Sequence, residues 1–280
     1  MAKPQRVTNH SLYRYAGGKN RMKKDLIKII RDVNPGIEYL VSPFWGGGST
    51  EMLIASEGVK VQGYDVFQPL ADFWEIVVGE GGAAILADMA EKHHPLIDSD
   101  HYKTFLPGLD SEDKWERALS FYIAIKGSYS GKIGCSTVRS RAEFRLVGID
   151  KLRNFHAPNV AFAHGSCFET IPLHENDFMY LDPPYYETVS HYYGKDGALH
   201  KSFDHELFCE TLKKHKGGFV MSYDNSDSVR ALYDGWTEFR YLTFPYQMSG
   251  TKRYEKTELV IVKYPEKVKP KVGALEAFLA

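Results

Sequence analysis

Cysteine is scarce in this chain: Cys135, Cys167 and Cys209, an odd number spread far apart in 280 residues. That pattern excludes a disulfide framework and reads as a reducing, cytoplasmic setting. No cysteine pair has zinc-binding spacing, and His93-His94 is adjacent rather than one helical turn apart, so no metal site is expected. No apolar run approaches the length of a membrane span, and the start, Met1-Ala2-Lys3-Pro4-Gln5-Arg6, lacks the apolar core of a signal peptide. There is no internal repeat. Net charge is nearly absent as well, −1 overall, while 43% hydrophobic and 25% charged residues are ordinary for a globular protein.

The small net charge conceals an uneven distribution. Residues 1–31 carry nine Lys or Arg against one acid, residues 32–125 five against sixteen, and residues 126–153 seven against two. Basic blocks attract phosphates whatever the total charge, although the counts alone also fit two solvated faces.

What is present is organised around Phe178-Met179-Tyr180-Leu181-Asp182-Pro183-Pro184-Tyr185. Met179, Tyr180 and Leu181 suit a buried strand. Pro183 cannot donate to a ladder, and Pro184 holds Pro183 out of the helical region, so the strand stops at Asp182. Ligands of open α/β sheets bind just beyond the carboxyl ends of strands. Asp182, the Pro183 carbonyl and the Tyr185 ring therefore meet at one site edge. A carboxylate and a carbonyl that accept the two N–H bonds of a nucleobase amine return electron density to its nitrogen, and the ring can stack on an extruded base. The bland alternative is a surface turn, since Asp-Pro commonly starts one.

The rest of the chain supplies a setting. After an irregular arm, Tyr13-Arg14-Tyr15-Ala16-Gly17-Gly18-Lys19 brings two glycines to a lysine. It is not a phosphate-binding P-loop, because Asn20 follows the lysine and Tyr13 holds the first glycine position. Apolar periodicity predicts a helix over 20–33, and a strand over 37–41 runs into Ser42-Pro43-Phe44-Trp45-Gly46-Gly47-Gly48-Ser49. A helix from Ser49 and a strand over 59–64 ending at Asp65 complete the first half of a doubly wound nucleotide fold, with an acid placed to hold a ribose diol. Residues 67–125 read as mainly helical. Lys126, Tyr129 and Lys132 lie in a Gly- and Ser-rich loop, and Arg139, Arg141 and Arg145 follow, the arginines leading into a predicted helix over 141–155. Arginine reaches both phosphates and guanine edges, so this is the candidate DNA-contacting stretch. Strands are predicted over 160–163, 177–181 and 219–221. A helix over 204–216 should carry Leu207, Phe208 and Leu212 as its stripe, and a short helix should span 226–233. A closing β pair is expected over 236–244 and 258–263, and residues 186–202 have the make-up of a closing loop.

Together these motifs resemble the DNA adenine-N6 methyltransferases of the Dam type, which include bacterial and phage orphan enzymes, over roughly residues 12–264. The resemblance implies a doubly wound S-adenosylmethionine-dependent methyltransferase sheet with a small, mainly helical target-recognition domain inserted. Its parts would be a catalytic unit of 1–69 and 159–264, a DNA-binding insertion at 70–158 and a tail at 265–280. It implies methyl transfer from S-adenosylmethionine to the N6 amino group of adenine in double-stranded DNA, by base flipping and in-line attack. Asp182, Pro183, Pro184 and Tyr185 match the catalytic motif. Tyr15, Lys19, Phe44, Gly46, Gly48, Ser49, Asp65, Phe168 and Asp182 match positions that bind the cofactor, the glycines admitting its methionine part. Lys126, Tyr129, Lys132, Arg139, Arg141 and Arg145 would contact DNA. Two positions depart from the family pattern: Ser42 stands where an acid usually precedes Pro-Phe, and Cys167 where an acid often precedes the aromatic Phe168. Methylation of a cytosine amino group, of RNA or of a protein glutamine, and a non-catalytic DNA-binding protein of the same fold, are the alternatives.

Overall fold

The computed structural model describes residues 6–94, 103–128, 133, 146–186, 203–246 and 254–266. The amino-terminal elements are α1 (Lys23–Val33), β1 (Tyr39–Ser42), α2 (Ser49–Ser56), β2 (Lys60–Asp65), α3 (Gln68–Val78) and α4 (Gly82–Glu91). α5 (Lys114–Gly127), α6 (Leu146–Arg153), β3 (Val160–His164), α7 (Cys167–Leu173) and β4 (Met179–Leu181) follow. The chain continues through α8 (His205–Lys214), β5 (Phe219–Tyr223), α9 (Asp227–Tyr233), β6 (Glu238–Tyr246) and β7 (Tyr254–Lys263).

The strands form one seven-stranded sheet in the order β3-β2-β1-β4-β5-β7-β6. β1 to β5 run parallel, and β7 pairs antiparallel with both β5 and β6. The fold is thus the expected mixed α/β, doubly wound type. β2 lies on one side of β1 and β4 on the other, with Val41 opposite Met179. The order reverses there, and crevices form at such reversals.

Two-residue periodicity sorts the strand side chains into two buried layers. Leu40, Val61, Tyr180, Val220, Val260 and Val262 enter one. Val41, Met179, Leu181, Met221, Leu259 and Ile261 enter the other. Both faces of the central strands are covered, which is why these segments read as continuous apolar runs rather than alternating ones.

α1 buries Leu26, Ile27, Ile29, Ile30 and Val33 against the first layer, as its periodicity predicts. The helices of 68–127 join that same layer. The rings of Trp45 and Trp74 meet at 5.3 Å, and Phe73 stacks on Tyr122 at 5.6 Å. α8 corrects one expectation: Leu207 is 51% exposed, and the buried stripe is Phe208, Cys209 and Leu212. Asp204 caps this helix, its side chain accepting from the Leu207 N–H at 2.9 Å. The expected helix over 141–155 is seen as Leu146–Arg153. Residues 129–132 and 134–145, the expected closing loop from 187 to 202 and the tail from 267 lie outside the described residues. Among the described residues no helix is long and apolar enough to cross a membrane, and no group of three His, Cys, Asp or Glu could hold a metal ion.

Candidate active site

The chain leaving β1 turns sharply through Gly46 and Gly48, at φ +50° and +62°, a region that glycine enters without the Cβ penalty. The turn is strapped from several sides. Gly46 N–H donates to Asp65 Oδ2 at 2.9 Å, and Phe67 N–H donates to Asp65 Oδ1 at 3.0 Å. The Tyr13 hydroxyl donates to the Gly46 carbonyl at 2.9 Å and accepts from Trp74 Nε1 at 2.7 Å. Asp65 therefore uses both oxygens to hold the backbone around it. A Cβ on Gly46 or Gly47 would lie 2.8 and 2.9 Å from the Tyr15 side chain, and one on Gly48 would lie 2.4 Å from Trp45 Nε1. The space these glycines leave is filled by aromatic rings of the protein itself.

β4 delivers Asp182 beside this turn. Its Oδ1 accepts from Lys19 Nζ at 2.6 Å and from Ser222 Oγ at 3.1 Å. Ser222 is on β5, and the Leu181–Met221 register brings it alongside. No donor among the described residues bonds Oδ2. The Lys19 side chain is only 4% exposed and that of Asp182 19%, so the ammonium lies beneath the carboxylate and the carboxylate remains reachable. Burial raises the Asp182 carboxyl above its usual range, against the pull of Lys19 and Ser222. For Lys19, burial works to lower its pKa, but the neighbouring Asp182, Tyr185, Glu258 and Tyr180 together outweigh this and hold it well above the ordinary lysine value. It stays an ammonium, also donating to the Gly17 carbonyl at 3.1 Å.

Tyr185 stands next to this pair. Lys19 Nζ lies 5.0 Å from its ring centroid, and its hydroxyl donates to the buried carboxylate of Glu258 on β7. Burial pushes the Tyr185 hydroxyl far above the phenol range, so it remains a donor. Phe168 lies in the first turn of α7, whose amino end carries a capping box: Ser166 Oγ accepts from Phe168 N–H at 3.3 Å and Glu169 accepts from Ser166 N–H at 3.2 Å. Phe203 stacks on Phe168 at 5.7 Å and packs against Phe44 at 5.8 Å. Burial raises the Cys167 thiol to about 12, so at that departure from the family pattern the side chain is a neutral thiol.

A cleft of about 1100 Å³, part of it continuous with solvent, joins these pieces. Tyr15, Lys19, Phe44, Gly46 and Gly48 line it, as do Ser49, Asp65, Phe168, Asp182 and Pro184. Lys126 is elsewhere, its Nζ 5.9 Å from the Tyr122 ring centroid. Tyr129, Lys132, Arg139, Arg141 and Arg145 lie outside the described residues. Sequence reasoning missed Trp45, Thr50, Glu51 and Phe203 in the lining, and Ser222 and Glu258 behind Asp182 and Tyr185. One signal was available for Glu51, an acid in the first turn of a helix that continues with the apolar run Met52-Leu53-Ile54-Ala55.

The family model for D12 class N6 adenine-specific DNA methyltransferases matches residues 15–249. Comparison with curated proteins finds no match. Among solved structures, the chain is similar to the SAM dependent methyltransferase from Agrobacterium tumefaciens at 11% identity and a TM-score of 0.38, covering 88% of this chain. This chain spans 62% of the length of that protein. It is similar to precorrin-6y C5,15-methyltransferase from Geobacter metallireducens at 9% identity and a TM-score of 0.37, covering 94% of this chain and 98% of that one.

Proposed function

This chain belongs to the D12 class N6 adenine-specific DNA methyltransferase family, and from that premise we propose that it transfers a methyl group from S-adenosylmethionine to adenine N6 in duplex DNA. The observation that carries the proposal is Asp182: a reachable carboxylate at the sheet's reversal, with one oxygen tied to Lys19 and Ser222 and the other without a protein donor among the described residues. The cleft suits such a cofactor. Its lining holds three carboxylates, Glu51, Asp65 and Asp182, against one ammonium, Lys19, which favours a ligand carrying positive charge. Two buried polar atoms in that lining, Trp45 Nε1 and Thr50 Oγ1, lack partners among the described residues. Tyr15, Phe44, Gly46, Gly48 and Ser49 would hold the cofactor, with Asp65 at its ribose and Phe168 on its adenine. When bound, it supplies a methyl group on a sulfonium.

The chain's own residues then do the following. An adenine rotated out of the duplex stacks on Tyr185, whose ring is set by Glu258 and Lys19. Its amino group donates to Asp182 Oδ2 and to the Pro183 carbonyl. Both acceptors favour the pyramidal nitrogen over the conjugated one. Positioning for in-line displacement matters as much as activation. The amine becomes acidic only as the new bond forms, so Asp182 or water takes the proton afterwards. Lys126 and the basic stretch through Arg145 are proposed to bind the duplex, within a recognition region of about 70–158.

The test is methyl transfer from radiolabelled S-adenosylmethionine to duplex DNA, followed by digestion and nucleoside identification. N6-methyldeoxyadenosine is the expected product. Label on cytosine, on RNA or on protein only, or no label on any, would overturn the reading.

A further inference from the structure

Position 42 is where an acid is missing from the family pattern, and the structure has a carboxylate beside it. Ser42 is fully buried at the end of β1, and its hydroxyl donates to Glu51 Oε1 at 2.8 Å. Glu51 reaches back from the first turn of α2, is 2% exposed and lines the cleft. The groups that favour its ionised form are the Ser42 hydroxyl and the backbone of Thr50 and Glu51, all of them neutral. Among the described residues no Lys, Arg or His pairs with it, and the one ammonium in the lining, Lys19, is committed to Asp182.

A buried carboxylate is costly without a cation or a full set of donors. Burial pushes the Glu51 carboxyl up to about 7, with the backbone and Ser42 opposing and Asp182 adding to the rise. A second polar group points to a ligand at the same place. Thr50 Oγ1, in a residue 1% exposed and lining the cleft, has no partner among the described residues. The site therefore presents a carboxylate and an adjacent hydroxyl to a compact cationic donor. A sulfonium has no N–H to give, whereas a primary ammonium has three.

We propose that Glu51, oriented by Ser42 and flanked by Thr50, is the seat of the α-ammonium group of the methionine part of the cofactor, replacing an acid at position 42. The inference rests on the methyl-transfer reading and adds a residue and a ligand group to it. Glu51 is a binding residue and takes no part in proton movement at the amine that is methylated.

The test is calorimetric titration of the full chain with S-adenosylhomocysteine and with its desamino analogue, which keeps the carboxylate, thioether and adenosine but lacks the amine. The wild-type protein should prefer S-adenosylhomocysteine at least tenfold. Glu51→Gln, which keeps the shape and loses the charge, should erase most of that preference while changing affinity for the desamino analogue less than twofold. Adding Ser42→Asp to Glu51→Gln should restore a preference, because it returns a carboxylate to position 42. Equal weakening of both ligands by Glu51→Gln, or an unchanged preference, would overturn the proposal. Should Glu51→Gln not fold, Thr50→Val with Ser42→Ala carries the same test, with a reduced preference expected and an unchanged one contradicting it. If the wild-type protein bound neither ligand, the methyl-transfer reading itself would fall, a result distinct from binding without discrimination.

Discussion

Tyr185 and Glu258 show how far one hydroxyl can matter in a site read first for its rings. Stacking needs only the ring, so Tyr185→Phe would be mild if stacking were its whole role. The hydroxyl also donates to Glu258, which is buried. Removing that donor should destabilise the protein by about 1–3 kcal/mol, the cost of withdrawing a hydrogen bond from a buried charged group. Urea unfolding would measure it, and a Tyr185→Phe protein as stable as wild type would show that Glu258 does not depend on this bond. Glu51 gives a pH signature of opposite sense to an ordinary stabilising carboxylate. Its folded pKa of about 7 lies above the 4.5 of the free side chain. Below pH 4.5 both states are protonated and there is no effect. Between the two values the unfolded chain has released the proton and the folded chain has not, so stability falls as pH rises. Above pH 7 the full cost is present, about 3 kcal/mol for a shift of this size. Glu51→Gln should therefore match wild type near pH 4 and be the more stable of the two at pH 8. A difference that does not change with pH would contradict the burial argument.

At the scale of elements, the two ends of α2 depend on glycine for separable reasons. Beyond its carboxyl end, Gly58 has φ +98° and nothing lies within 4 Å of where a Cβ would stand, so Gly58→Ala should cost only the conformational strain, about 1–2 kcal/mol. At its amino end, Gly48 has φ +62°, and a Cβ there would also lie 2.4 Å from Trp45 Nε1. Gly48→Ala should add an overpacking cost of about 1–3 kcal/mol. Thermal melts of both variants compare them directly, and equal losses would mean that Trp45 yields freely. These elements were legible because their signals are local. Two prolines after Asp182 end a strand, Asp204 starts a helix, and glycines permit a turn whatever the rest of the chain does. Ser222 and Glu258 have no local signal of this kind. Ser222 reaches Asp182 only through the β4–β5 register, and Glu258 reaches Tyr185 only because β7 inserts between β5 and β6. Leu207 was misplaced because adjacent Leu207 and Phe208 both fit an apolar stripe, and packing against the rest of the fold chose Phe208, Cys209 and Leu212.

On the whole molecule, the near-neutral total and the uneven charge distribution bear on how DNA would be held. The stretch of 126–145 proposed to bind DNA runs in sequence from the end of α5 to the start of α6, both of which bury residues in the sheet's core. Neutralising Lys132, Arg139, Arg141 and Arg145 one at a time should reduce the slope of log affinity against log salt by about one unit for each phosphate interaction removed. An unchanged slope in all four would make this stretch a solvated face. The central claim is that the sheet's reversal, the glycine turn and β4 converge to make Asp182 the acceptor for the reacting amine. Single-turnover methyl transfer to duplex DNA by Asp182→Ala tests it most directly, with circular dichroism and thermal unfolding as the control for folding. The expected result is a rate lower by at least about 10²–10³, the scale of losing one preorganised electrostatic contact, in a protein that still folds. Transfer at near the wild-type rate would contradict it.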